Sequence, residues 1–402
     1  MGTFPAFQVA KLIILFITAF VDMVGFVIVL PLLPYYATEF GANALLVGIL
    51  ISSFSVAQLA VAPLWGRASD RYGRRPMILA GLVLSSIAYV IFAFAGSFWL
   101  LLVSRVVQGM GGGTIGVVQA YVADATPPDK RTRSLGWLSA VTSLGAVVGP
   151  AFGSILDQAF GRHAPGLVAS ALAASIAVFA WRYLRESKEM RPASAHGAVA
   201  GISGRAALRR VISHAAEPSS RLIWIYAIAI GAFYGTGPTM PLLLSARMGI
   251  TEHTIGYIFM YFGAMGVVAR AGLLGWVHER LGDARLARLG IVLLAAGLTL
   301  LSLARNYPVL ILSMTLMPLG TAFLFPCVTG LLSQVVPGRD RGLYMGVQQT
   351  FGGVSRVVFP VVAGILMDQL GKGVPFAVAA ALVLLTLPLT GAMGTYATAA
   401  AT

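Results

Sequence analysis

The chain has 402 residues, of which 58% are hydrophobic and only 10% charged, and its mean hydropathy is +0.85. Soluble domains carry roughly 25% charged residues, so this composition excludes a soluble enzyme. The net charge of +14 lies in short stretches between apolar runs, where it orients helices in a bilayer and does not call for nucleic acid as a partner.

A helix needs about 20 apolar residues to cross a bilayer. Twelve stretches qualify: 12–34, 44–65, 77–95, 98–124, 135–157, 165–184, 222–246, 253–277, 287–304, 308–335, 342–366 and 374–396. The expected fold class is an all-α membrane protein with twelve transmembrane helices in two pseudo-twofold six-helix halves. No cleavable signal peptide is expected, because the first run is too long and has no small-residue cleavage site. Connections 66–76, 125–134, 185–221, 278–286 and 336–341 carry most of the Lys and Arg, and the alternate ones carry few. The positive-inside tendency then predicts a multi-pass protein of the inner (plasma) membrane with both termini cytoplasmic. Segment 185–221 is the one long hydrophilic stretch and divides the chain into an N-terminal half 1–184, a cytoplasmic linker and a C-terminal half 222–402. Near Gly204–Ser213 the linker reads either as an amphipathic helix on the membrane surface or as a solvated connection.

The connection after the second span is short, charged and punctuated by glycine: Gly66-Arg67-Ala68-Ser69-Asp70-Arg71-Tyr72-Gly73-Arg74-Arg75. The second half repeats the pattern, with Gly275, Glu279, Arg280 and Gly282 at the places of Gly66, Asp70, Arg71 and Gly73. Parallel halves of this kind place a substrate cavity between them, near the bilayer midplane.

An ionisable group inside a span is costly and marks function by default. Four lie well inside: Asp22, Arg105, Arg270 and Arg356, while Asp124 and Asp157 sit at helix ends where water is expected to reach them. Asp22 lies roughly 16 Å beyond Lys11 at about 1.5 Å per residue, close to the midplane. It reads as a proton site or as half of a permanent ion pair, with Arg105 as its expected partner in either case. Arg105, Gln108, Gly109, Gly112 and Gln119 share a helical face; so do Phe259, Gly263, Gly266 and Arg270, and so do Gln349, Gly352, Gly353, Arg356 and Pro360. Arg270 either faces the cavity or snorkels to the cytoplasmic side, whereas Arg356 is too deep for that. One acid against three arginines leaves a positive cavity, which suits an anionic ligand. Gln58, Phe26 and Tyr234 are candidate lining residues for an amphipathic molecule. The single cysteine, Cys327, offers no disulfide, and no Walker loop, zinc spacing or nucleophile triad is visible, so no metal or other cofactor is expected and the proton gradient is the expected energy source.

Several of these segments together resemble the major facilitator superfamily, in particular its twelve-helix drug:proton antiporter branch. The first basic connection fits G-x-x-x-D-R-x-G-R-R. Leu101–Gly113, with Arg105 and Gln108-Gly109, is similar to the fourth-helix motif, and Gly145 through Gly153, with Gly149-Pro150, to the antiporter signature of helix five. Asp22-Met23-Val24-Gly25-Phe26 resembles the first-helix motif, and Tyr121-Val122-Ala123-Asp124 closes helix four as in the tetracycline-efflux group. The resemblance implies that Asp70 and Arg71 form part of a latch between the halves at the cytoplasmic helix ends, with Asp124 as a partner, and that Gly145, Gly149 and Pro150 let helix five pack closely and bend.

The departures bear on substrate. Tetracycline exporters carry an acid where this chain has Ala88, and a histidine and an acid at positions that align with Val267 and Leu294. The expected function is therefore proton-coupled export of an amphipathic, anionic organic molecule by alternating access, by a monomer working with protons, substrate and lipid. The alternatives are a multidrug or tetracycline-like efflux pump, an importer of a metabolite anion, a lipid flippase, and a carrier-fold assembly factor that transports nothing.

Overall fold

In a computed structural model the described residues are 6–112, 115–126, 131–184, 186, 204–338 and 340–391. Among them the chain is helical and contains no strand. The first half consists of α1 (Ala6–Val29), α2 (Leu33–Glu39), α3 (Ala44–Tyr72), α4 (Arg74–Ala93), α5 (Phe98–Gly112), α6 (Ile115–Asp124), α7 (Arg131–Phe160) and α8 (Ala164–Tyr183). After α9 (Gly204–Ser213) follow α10 (Pro218–Thr236), α11 (Met240–Met248), α12 (Glu252–Val268), a π-helical turn at Ala269–Leu273, α13 (Leu274–Leu303), α14 (Tyr307–Val335), α15 (Arg341–Leu370) and α16 (Val374–Leu384).

Nine described helices are long and apolar enough to cross a membrane, ten if the bent pair α10–α11 is one span. One of the nine, Glu252–Leu303, contains two expected spans. They are separated at Gly282, whose φ of 70° and ψ of 167° break the helix. The last expected span appears as the shorter apolar stretch Val374–Thr390, and its end lies outside the described residues. The architecture is consistent with twelve spans.

Two boundaries differ from expectation. The connection 66–76 is almost wholly helical: α3 continues to Tyr72 and only Gly73, at φ 100°, turns the chain. Gly66 and Gly275 thus lie inside helices, and a Cβ at either would meet nothing within 4 Å. A helix needs apolar residues only within the bilayer, and its charged end projects beyond it.

The chain forms two compact units. Unit 1 holds residues 1–42, 53–197 and 251–260; unit 2 holds 43–52, 198–250 and 261–402. Unit 1 has an apolar core that includes Leu15, Ile78, Tyr121, Val122 and Leu184. The glycine face of α7 lies against α1, where a Cβ on Gly153 would fall 2.1 Å from Ile28 O and one on Gly149 2.3 Å from Val27 Cγ2. In unit 2 the helix expected at 204–213 is α9. It packs against α10 and α15, with Ala207 and Val211 fully buried and Ile212 exposed. Glu217 accepts from Arg210 Nε and holds that guanidinium above its ordinary pKa.

α3 and α12 belong to both units. The first turns of α3 pack on α15 in unit 2, where a Cβ on Gly48 would stand 2.3 Å from Pro360 O. Those of α12 pack on α7 in unit 1, where a Cβ on Gly256 would stand 2.2 Å from Pro150 O. Only glycine permits backbone contacts this close.

Candidate functional site

In unit 1 a polar cluster forms between α1, α3, α4 and α5. Arg105 is 2% exposed, and its Nη2 is enclosed without a hydrogen-bond partner. Its guanidinium lies 5.5 Å from the Phe54 ring centre, and Phe54 packs on Phe26 at 5.1 Å. The expected ion pair between Asp22 and Arg105 is not formed. Tyr89 is within electrostatic reach of both and accepts a hydrogen bond from Gln108 Nε2 at 2.9 Å. Gln58 Nε2 donates to Gly112 O at 3.1 Å and is tied to the backbone of α5. Ala88, next to Tyr89 in sequence, is buried, as is Tyr89. Sequence reasoning passed over Tyr89 because tyrosines in spans are commonly packing or interface residues.

In unit 2 a second cluster joins α10, α12, the π turn and α15. The Arg356 guanidinium lies 5.7 Å from the Tyr234 ring centre, and Arg270 is within electrostatic reach of the same tyrosine. Gln349 does not turn to Arg356; its amide donates to Tyr226 Oη at 3.4 Å, and Tyr226 packs on Phe325 at 5.5 Å. Arg270 lies in the π turn, is exposed, and reaches back to Gly266 O at 3.4 Å. Arg270 thus lies over Gly266, a member of the expected face, while Phe259 lies in unit 1. Among the described residues neither Arg270 nor Arg356 forms an ion pair.

The charged helix ends differ in detail from the expected latch. Within unit 1, Arg74 is the hub: Nη1 donates to Asp70 Oδ1 at 2.8 Å and to Ser69 Oγ at 2.8 Å, and Nε donates to Asp124 Oδ2 at 3.2 Å. Asp70 and Asp124 are thus joined through Arg74. Arg71 takes no part and lies over Tyr72. Glu186, which the sequence reading did not single out, accepts from the backbone of Arg74 at 2.8 Å and Arg75 at 3.2 Å, capping α4. A Cβ on Gly73 would stand 2.7 Å from the Glu186 carboxylate, which fixes glycine there for space as well as for its positive φ. In unit 2 the position of Asp70 is held by Glu279, which is exposed and in no ion pair among the described residues. Asp283 is engaged instead, with His278 at 2.9 Å and Gln334 at 3.4 Å, while Arg280 stacks over Trp276 at 3.8 Å.

Asp157 also departs from expectation. Its side chain is 5% exposed and accepts from Tyr36 Oη at 2.6 Å, because α2 and the first turn of α12 cover the end of α7.

Comparison with known proteins fits this architecture. The family profile described as Major Facilitator Superfamily matches residues 15–270 and 222–394. The chain is 26% identical over 359 residues to a protein of Bacillus subtilis named multidrug resistance protein 1, covering 89% of this chain and 90% of that one. It is 24% identical over 355 residues to the class B tetracycline resistance protein of Escherichia coli, covering 87% and 86%. The crystal structure of the human organic anion transporter MFSD10 (TETRAN) superposes with a TM-score of 0.69 at 24% identity, covering 96% of this chain and 100% of that one. A profile match over nearly the whole chain, on an all-helical multi-pass frame, makes this protein a membrane transporter of the major facilitator superfamily and not an enzyme.

Proposed function

We propose that the chain is a proton-coupled antiporter that exports an amphipathic organic anion by alternating access, from the inner (plasma) membrane with both termini cytoplasmic. The observation that carries the reading is in unit 2: the Arg356 guanidinium lies over Tyr234, Arg270 is within electrostatic reach of the same ring, and among the described residues neither is in an ion pair. Unpaired cations beside aromatic rings form a subsite for a carboxylate, sulfonate or phosphate carried on an apolar body. Tyr226 and Gln349 supply neutral hydrogen-bonding groups beside it.

Asp22 is the proton carrier in this scheme. A carboxylate within a span that has no ion-pair partner takes up a proton more readily than a paired one. Tyr89, within electrostatic reach of both Asp22 and Arg105, is the group through which the state of Asp22 is felt by Arg105, whose Nη2 is unsatisfied. The proton gradient is the energy source, and the chain works as a monomer without a cofactor. That a structural neighbour is titled an organic anion transporter supports the anionic reading, and the apolar residues at Ala88, Val267 and Leu294 weigh against tetracycline.

The rival is a multidrug exporter that carries cations; a relative's name supports the multidrug part, and the aromatic pair Phe26–Phe54 suits a cation. Proteoliposomes containing the purified chain, with an imposed pH gradient, separate the two when screened with organic anions and with lipophilic cations of matched size. Gradient-driven movement of anions is expected. Movement of cations alone would replace this reading with the rival.

A further inference from the structure

Helices α7 and α12 meet in unit 1 with their backbones fixed in register. Ser154 Oγ donates to Glu252 O at 2.6 Å and accepts from Gly256 N at 3.1 Å. One turn further along α7, this brings Asp157 against Glu252 and His253. Asp157 Oδ2 lies 3.1 Å from His253 Nδ1, and His253 Nε2 lies 3.9 Å from Glu252 Oε1. One donor atom from each of the three residues falls within 4.8 Å of the others.

Three observations distinguish this cluster from an ordinary ion pair. First, His253 Nδ1 is enclosed and makes no hydrogen bond, even though a carboxylate oxygen is 3.1 Å away. Second, Asp157 is held from behind. Tyr36 Oη occupies its Oδ1, and Tyr36 is fixed by stacking on Phe92 at 5.4 Å and by the Arg162 guanidinium 4.6 Å from its ring centre. Arg162 is in turn paired with Glu39, so Oδ2 is the oxygen left facing the histidine. Third, packing does not require these residues. The corresponding contact in unit 2, with Gly48 where unit 1 has Gly256, places Ala44 and Leu45 where unit 1 has Glu252 and His253. The same close contact forms there with apolar side chains.

We infer that Asp157, Glu252 and His253 form a binding site for one divalent transition-metal ion of the zinc class. Two carboxylates and a neutral imidazole carry a charge of about −2, which such an ion cancels, and imidazole selects zinc-like ions over magnesium or calcium. Tetrahedral zinc with bonds of about 2.0–2.2 Å sets its donors roughly 3.4 Å apart, close to the Asp157–His253 separation. A rotamer change in the half-buried Glu252 brings in the third donor, leaving one coordination position open. The Tyr36 hydroxyl on Asp157 is the outer-shell bond that orients a ligating carboxylate. Bound metal would tie the end of α7 to the first turn of α12. No local motif marks the site, because Asp157 lies far in sequence from Glu252 and His253; the expectation of no metal rested on local spacing alone.

The test uses the untagged full-length protein in detergent with Zn2+ as the probe, and needs no substrate, so it is independent of the anion reading. Titration calorimetry is expected to give one saturable Zn2+ site per chain, with a matching rise in the thermal transition that a chelator reverses and that Mg2+ and Ca2+ do not produce. Glu252→Gln and His253→Ala should abolish both signals while leaving the metal-free transition and the elution profile near wild type. Tyr36→Phe should weaken binding roughly 10- to 100-fold, the usual loss for an outer-shell partner. Absence of saturable binding, or binding unchanged in both Glu252→Gln and His253→Ala, overturns the site.

Discussion

Asp368 gives the sharpest test of how α3 is held. Its two carboxylate oxygens each accept from a free amide in the first turn of α3, Oδ1 from Ala44 N at 3.0 Å and Oδ2 from Leu45 N at 2.9 Å. It acts as a cap supplied by another helix, with a negative charge at the positive end of α3. Loss of a cap costs about 0.5–2 kcal/mol, and an exposed charge at a helix terminus adds about 0.3–1 kcal/mol. Asp368 is itself exposed, so the lower half of the combined range applies, about 1–2 kcal/mol, or roughly 5- to 30-fold in an equilibrium. Asp368→Ala should therefore speed hydrogen exchange of segment 43–52 by that factor without changing exchange across α13 and α14. Asp368→Asn keeps one acceptor oxygen and loses the charge, so it should fall between wild type and Ala. Equal protection of 43–52 in all three proteins would refute the account of Asp368 as the cap.

Asp22→Asn should abolish concentrative transport under a pH gradient and leave passive exchange, since it removes the titratable group and keeps the size; undiminished accumulation would remove Asp22 from the coupling scheme. Arg356→Lys should weaken anion transport despite the conserved charge, because lysine lacks the planar fork, and Arg356→Ala should cost about 2–5 kcal/mol in anion affinity while neutral analogues are barely affected. If anions and neutral analogues respond alike, the guanidinium serves packing and not recognition. Arg74→Ala should lower the thermal transition, since partly exposed pairs to Asp70 and Asp124 contribute about 0.2–1 kcal/mol each; Arg71→Ala should not. A larger effect from Arg71 would reverse the assignment of the hub.

The spans were readable because lipid leaves the backbone no alternative to internal pairing and requires an apolar run of set length. That rule determines depth and says little about direction. Periodicity placed Asp22 and Arg105 at compatible depths but could not show that Tyr89 lies near both, since that depends on how α4 is rotated. The basic run after α3 was read as a loop because charge was equated with the end of the helix; α3 instead carries its charges past the apolar stretch, and only Gly73 breaks it. Arg270 was read as part of a regular α-helix, whereas it lies in a five-residue π turn. Asp157 was taken to reach water because it ends a span, yet α2 and α12 cover it.

One signal for the last of these was present in the sequence. Asp157-Gln158 is followed by Gly161-Arg162 and Pro165, and Asp368-Gln369 by Gly371-Lys372 and Pro375. Both glycines turn the chain at positive φ, 80° and 115°, and both prolines lie in the first turn of the next helix. Each Asp-Gln pair thus marks the place where a long helix ends against the start of another. In unit 2 the start of α3 is apolar, so Asp368 serves its amides and both carboxylate oxygens are used by backbone. In unit 1 Asp157 accepts from Tyr36 Oη and faces His253 Nδ1, both side-chain groups. The two acids are not equivalent by spacing, since Asp157 precedes its turning glycine by four residues and Asp368 by three; Asp157 faces Tyr36 and His253, while Asp368 caps α3.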